Sequence, residues 1–276
     1  MTRSQVVETP GSTVGSRRQS RRSSNTVRCT ASSQPRRESS LKPAWIAFGT
    51  EDGQETPTGQ CVIIGFDYGA TFSGIGYLLV DHAHFRAQTL PESLIGRVKV
   101  LPNYKDQEDY HSKYVVPTVV TYDRSGSNRK PLRWGFPAWK VRRAQDGNIH
   151  KVELAKLLFS RHHNKLDQVK SLRKIAKELN KNDIDFAADF LTLLNEKVEN
   201  ELPLVYPDYA AAPRYYYCGV PAGWNEEKAA FADACDKAGL LGTILVSESE
   251  AAANAMLALS DRPVNVRTYP SERFES

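Results

Sequence analysis

Residues 61–80 read C-V-I-I-G-F-D-Y-G-A-T-F-S-G-I-G-Y-L-L-V. Two apolar, β-prone runs, 61–66 and 73–80, flank a short segment in which Asp67, Gly69 and Thr71 break the apolar pattern, the signature of a hairpin with a working turn. Gly69 has no Cβ and lets the backbone approach an anion closely. The amides of Gly69, Ala70, Thr71 and Phe72 can then form a concave nest of donors. Asp67, where the first strand ends, can hold waters around a Mg²⁺ that bridges phosphate oxygens. The stretch is a candidate phosphate-binding hairpin. The plain alternative is an ordinary hairpin with a turn aspartate and a turn glycine, and short glycine motifs recur too widely for this stretch alone to choose.

The chain has 276 residues, 40% hydrophobic and 25% charged, which is ordinary for a globular protein and enough to bury a core in one or two domains. Its formal charge of +5 is unevenly spread: residues 1–40 carry eight arginines against Glu8 and Glu38, so the tail holds about +6 and the remainder about −1. The basicity belongs to the tail, which argues against a nucleic-acid-binding domain. Cys29, Cys61, Cys218 and Cys235 are widely spaced, with neither a C-x-x-C pair nor a Cys/His cluster suited to zinc, as fits a reducing compartment. No apolar run approaches the roughly 20 residues that cross a bilayer, and the N-terminus lacks the apolar core of a secretory signal. The expectation is a cytoplasmic chain without membrane contact, a nuclear location being the second option. An Arg- and Ser-rich leader also suggests a mitochondrial transit peptide, but an amphipathic apolar face is hard to find.

Residues 1–60 are rich in Ser, Arg, Thr, Pro and Gly and nearly free of apolar periodicity before residues 44–48, so a disordered tail is expected. Three Arg-Arg-x-Ser sites, ending at Ser20, Ser24 and Ser39, have a spacing that basophilic kinases use; a plain solvated basic tail explains them equally well. Further strands are predicted over 98–101, over 114–122 with a kink or edge at Pro117, and over 132–134. The period then changes. Apolar residues recur at three- and four-residue spacing over 152–159, 166–179 and 184–202, predicting three amphipathic helices, the last with Asp183 as N-cap. Strand and helix alternate thereafter: a strand over 215–220, a helix capped by Asn225 and stopped at Gly239, a strand over 243–246, and an alanine-rich helix over 251–259 opened by a Ser247/Glu250 capping box. That order argues for an α/β layer with functional groups at the strand ends.

Three separated segments are similar to one family. Ile64-Gly65-Phe66-Asp67-Tyr68-Gly69-Ala70-Thr71-Phe72-Ser73 resembles the first phosphate motif of the heat-shock protein 70 family, within the actin-like ATPase superfamily. Val220-Pro221-Ala222-Gly223-Trp224-Asn225 resembles its V-P-A-x-[FW]-[NS] strand end, and Ser247-Glu248-Ser249-Glu250-Ala251-Ala252-Ala253 its E-P-x-A-A segment. Val115-Val116-Pro117-Thr118-Val119-Val120-Thr121-Tyr122 is similar to its V-P-S-V strand. The likeness is nearest to divergent members and covers roughly residues 61–260. It implies an α/β chain of the actin-like ATPase (ribonuclease H-like) fold: a disordered tail over 1–60, then over 61–276 the first lobe of a nucleotide-binding domain. It also implies ATP or ADP with Mg²⁺ as cofactor. Asp67 would organise the metal through water, Gly69 to Phe72 would hold the β- and γ-phosphates, and Glu248 would place the hydrolytic water or the metal shell. A first-turn carboxylate favouring the helix dipole is the plain reading of Glu248, and the two roles are compatible.

The sequence departs from the family in three places. Ala70 stands where a hydroxyl residue is usual, Ser249 replaces the proline after the glutamate, and residues up to Ser276 hold no second phosphate hairpin, adenosine-binding segment or peptide-binding domain. The expectation is a truncated or degenerate relative with weakened or lost nucleotide binding and doubtful hydrolysis. The alternative is a non-catalytic protein-interaction module on a worn actin-like lobe.

Overall fold

A computed structural model describes residues 59–88, 92–107, 112–125, 129–142 and 147–259. Of the tail expected over residues 1–60, residues 1–58 with their three serine sites lie outside the described residues, as do residues 260–276.

The architecture is mixed α/β. The quoted stretch forms the hairpin β1 (Gln60–Asp67) and β2 (Phe72–Asp81), antiparallel with Cys61 opposite Val80 and Asp67 opposite Gly74. A short helix α1 (His82–Arg86) follows, with Asp81 as its cap, then β3 (Lys99–Val100) on the outer edge of β2. The proline strand divides as Pro117 dictates: β4 (Val116–Pro117) pairs with the start of β2, and β5 (Val119–Asp123) enters a second sheet. In that sheet β5 lies between β6 (Pro131–Trp134) and β7 (Ile149–Glu153), with the short helix α2 (Gly135–Trp139) after β6.

The helix predicted over 152–159 is not formed. Val152 and Glu153 belong to β7, where the ladder to β5 claims the backbone; Leu154 then takes a left-handed conformation (φ 61°), and a 3₁₀ turn, Ala155–Leu158, follows. Apolar spacing alone does not separate a strand followed by a turn from a short helix. The other two helices are present as α3 (Asp167–Leu179) and α4 (Asp183–Val205). Asn182, not Asp183, caps α4: its side chain accepts from the Asp185 amide at 2.8 Å, and Asp185 returns the bond at 2.8 Å as a reciprocal capping box.

The last third alternates as expected, through β8 (Arg214–Val220), α5 (Glu227–Lys237), β9 (Ile244–Ser247) and α6 (Glu248–Leu259). Glu226 holds the position before α5, while the Asn225 amide donates to the Glu227 carboxylate at 3.2 Å. Gly239 ends the segment at φ +81°. Helix α6 starts at Glu248, three residues earlier than predicted, directly from β9.

The larger sheet runs β3-β2-β1-β8-β9, with β1, β8 and β9 parallel. One face, through Val62, Ile64 and Phe66, joins a core completed by Phe186, Leu191 and Leu194 of α4 and by Phe231 and Cys235 of α5. Burial of these side chains, at roughly 25 cal/mol per Å² of apolar surface, holds the layers together.

Candidate functional site

Because β1, β8 and β9 are parallel, their C-terminal ends lie at one end of the sheet, where open α/β sheets place ligands. Asp67 ends β1, Val220 ends β8, and Ser247 ends β9 with Glu248 opening α6. Three segments far apart in sequence thus arrive together.

The turn between β1 and β2 is closed tightly. A Cβ on Gly69 would stand 2.0 Å from the carbonyl oxygen of Phe72, a collision that excludes every other residue from this backbone path. Among the described residues the amides of Gly69, Ala70 and Thr71 donate no backbone hydrogen bond. Thr71 is exposed, Gly69 and Ala70 are half-buried, and Phe72 already belongs to β2, opposite Pro117. The turn is clamped from the side: the Thr118 amide donates to the Thr71 carbonyl at 2.9 Å, and the buried hydroxyls of Ser73 and Thr118 meet at 2.8 Å. From below, the ring of Tyr68 is fully buried between Phe190 of α4 and Phe231 of α5, with centroids at 5.9 and 5.6 Å. A turn fixed in this way presents its amides with little freedom left to lose on binding.

Lys156, in the 3₁₀ turn after β7, is the residue that sequence reading missed. It is 6% exposed, and its ammonium donates to Glu248 Oε1 at 2.5 Å. The ammonium also lies 6.0 Å from the centre of the Tyr68 ring and 5.5 Å from that of Trp224. Each segment therefore contributes one neighbour to this lysine: Tyr68 from the hairpin, Trp224 from the β8 end, and Glu248 from the β9 end. Trp224 is held by Phe159 and Phe231, at 5.4 and 5.6 Å, and by its amide donating to Pro221 at 3.1 Å. The sequence signal was a single cation inside the apolar run Leu154-Ala155-Lys156-Leu157-Leu158-Phe159, which a helical reading places on a solvated face.

Asp67 shares this electrostatic neighbourhood. Partial desolvation of its carboxyl raises it above the ordinary aspartate value, although the residue as a whole is exposed; Lys156 opposes the rise and Glu248 adds to it. Two carboxylates and one ammonium beside a turn with free amides have the chemistry to hold a phosphate that arrives with a divalent cation. Among the described residues no group of three or more His, Cys, Asp or Glu side chains gathers to hold a metal by itself. The pair Asp67 and Glu248 nevertheless fits Mg²⁺, which keeps several waters and takes one or two carboxylates together with phosphate oxygens. Ala70 brings no side-chain oxygen to the turn, so only backbone amides there could meet an anion.

Cys61, Cys218 and Cys235 are buried free thiols. No helix among the described residues is long and apolar enough to cross a membrane. No protein-family model matches the chain, and neither does any curated protein.

Proposed function

We infer that the chain is a heat-shock-70-like, actin-like nucleotide-binding lobe that holds the phosphates of ATP or ADP with Mg²⁺ at the turn between β1 and β2. One observation carries the reading: the three resembling segments each place a side chain on the buried Lys156, and the resulting cluster borders the clamped glycine turn. The sheet order also supports it, since an antiparallel hairpin continued by parallel strands brings the motif-bearing ends to a single edge.

In this reading the turn amides bind phosphate oxygens, and Lys156 exchanges part of its bond to Glu248 for the anion. Asp67 orients the water shell of the cation, and Glu248 positions a water or a second shell. Asp67 and Thr71 are exposed, so the described residues by themselves do not enclose a transferred phosphoryl group or exclude bulk water from it.

Calorimetric titration of Mg-ATP into the full chain tests the reading. Binding is expected in the wild type and is lost or much weakened in Lys156→Met and in Asp67→Ala. An absence of binding to the wild type, or equal binding by all three, refutes it.

A second reading, an interaction module, is favoured by α6. Its residues Ala251, Ala252, Ala253, Asn254, Ala255 and Met256 are all exposed, an apolar composition that helices usually bury.

A further inference from the structure

Positive charge after residue 40 is concentrated on one stretch. Residues 161–181 hold seven Lys and Arg against Asp167 and Glu178, a net charge of about +5, whereas residues 41–276 as a whole carry about −1. Helix α3 arranges four of these cations together. Lys170, Arg173, Lys174 and Lys177 follow the i, i+3, i+4, i+7 spacing of one helix face and are all exposed, while Val169, Leu172, Ala176 and Leu179 turn another face to the core. Two of the four are tied down: Lys170 pairs with Asp167 at 2.8 Å, and Arg173 donates to Asn164 Oδ1 at 2.6 Å. Arg161, Lys165, Lys174 and Lys177 have no ion-pair partner among the described residues.

The cationic face reaches a groove of about 630 Å³ where α3 meets the 3₁₀ turn Arg161–His163 and the start of α5. Arg161 and His162 of the turn and Arg173 of α3 bring positive or ionisable nitrogen to its border. Asp183 at the start of α4, and Glu226 and Glu227 at the start of α5, bring carboxylates. Glu227 is held in place, accepting from the Asn225 amide at 3.2 Å. No ion pair joins the two sets among the described residues, so opposite charges border one hollow without closing it. Leu158 and Ala230 add apolar surface.

We propose that this groove and the adjoining face of α3 dock an extended acidic segment of a partner protein, its carboxylates on Arg161, Arg173 and Lys174 and a basic side chain on Glu226 and Glu227. Charge complementarity selects the occupant. From Lys170 to Lys177 the helix rises about 10 Å at ~1.5 Å per residue, the length of about three extended residues at ~3.3 Å each, so a short acidic run matches the face. A nucleic-acid strand fits less well. Its phosphates recur along the whole backbone and would meet Asp183, Glu226 and Glu227, and Phe159 on the border of the groove is only 6% exposed, which offers bases little to stack on. The surface is independent of the phosphate reading, whose residues Asp67, Lys156 and Glu248 do not line the groove.

Fluorescence anisotropy of a rhodamine-labelled peptide, G-S-E-E-D-E-L-K-S-G, titrated with the full chain, tests the surface. The arginine-rich tail also attracts anions, so the comparison is between the wild type and variants of the groove that keep the tail. Arg161→Ser combined with Arg173→Ser should weaken the peptide about fivefold. Lys174→Ser combined with Lys177→Ser, at exposed positions without partners, should weaken it about threefold and keeps the test alive if the first pair folds poorly. Replacing the peptide's lysine by alanine should weaken it about twofold, through the lost contact with Glu226 and Glu227. A ten-nucleotide oligothymidine, drawn to the tail, should bind wild type and variants alike. If the peptide does not bind, or binds wild type and both variants equally, the docking surface is overturned. If oligothymidine loses as much as the peptide in the variants, the face takes polyanions in general and the acidic-segment proposal falls. None of these outcomes bears on the phosphate reading, because every variant leaves Asp67, Lys156 and Glu248 in place.

Discussion

Breaking the bond between Lys156 and Glu248 should destabilise the protein asymmetrically, depending on which partner is changed. The lysine side chain is 7% exposed and the glutamate side chain 41%. Glu248→Gln leaves an ammonium enclosed by Tyr68 and Trp224 with a neutral partner. A fully buried ion left unpaired costs about 3–5 kcal/mol, and because water reaches the glutamate side of this pair the expected loss is about 1–3 kcal/mol. Lys156→Met keeps the volume and the apolar stem, and it leaves a carboxylate that can hydrate, so its cost is about 0–1 kcal/mol. For a folded unit of this size 1 kcal/mol moves the midpoint by about 2–4 °C, so a loss of ~2 kcal/mol in Glu248→Gln lowers Tm by about 4–8 °C. Lys156→Met should lower it by less than about 4 °C on the same scale. Thermal and urea unfolding followed by circular dichroism measure both. If Lys156→Met proved as damaging as Glu248→Gln, or more so, Lys156 would not be a buried charge held by one carboxylate.

Gly69→Ala should fold less stably by about 1–3 kcal/mol, since the added methyl meets the Phe72 carbonyl and forces the turn open; denaturation and hydrogen exchange at residues 68–73 check it. Asp67→Asn should stabilise the protein at pH 7. A carboxyl raised above 3.8 in the folded state favours folding while protonated, and that contribution is lost as pH rises through the folded value, so the gain from Asn shrinks towards pH 3.8 and below. Unfolding midpoints across that window read it directly. Tyr122→Phe removes a buried hydroxyl that donates to Asp189 at 2.8 Å and should cost about 1.5–3 kcal/mol by the same assays.

The hairpin was legible because its cues are local: two apolar, β-prone runs, Asp67, Gly69 and Thr71 at the break, and Pro117 in the strand that clamps the turn. The alternating last third was legible for the same reason. Two other features depend on contacts far apart in sequence. Nothing around residues 60–67 announces that β1 pairs in parallel with Arg214–Val220, yet that pairing brings Asp67 to the same edge as Glu248. Lys156 was hidden by periodicity, since residues 152–159 satisfy a helical pattern while the ladder to β5 and the left-handed Leu154 produce a strand and a turn. The cap of α4 moved by one residue because Asn182 and Asp183 are both good caps, and the reciprocal bond with Asp185 decided between them. The glycines on the outer face of the sheet combine Gly65 and Gly76 of the predicted hairpin with Gly219 of β8, a strand that the sequence does not show to be their neighbour.

In the proposed function the clamped turn, Lys156, Asp67 and Glu248 form one phosphate site served by a divalent cation. ADP affinity measured with and without Mg²⁺, in the wild type and in Asp67→Ala, tests it most directly. Mg²⁺ should strengthen ADP binding to the wild type and have little effect on Asp67→Ala. Binding that ignores Mg²⁺, or a Mg²⁺ effect that survives the loss of Asp67, would contradict it.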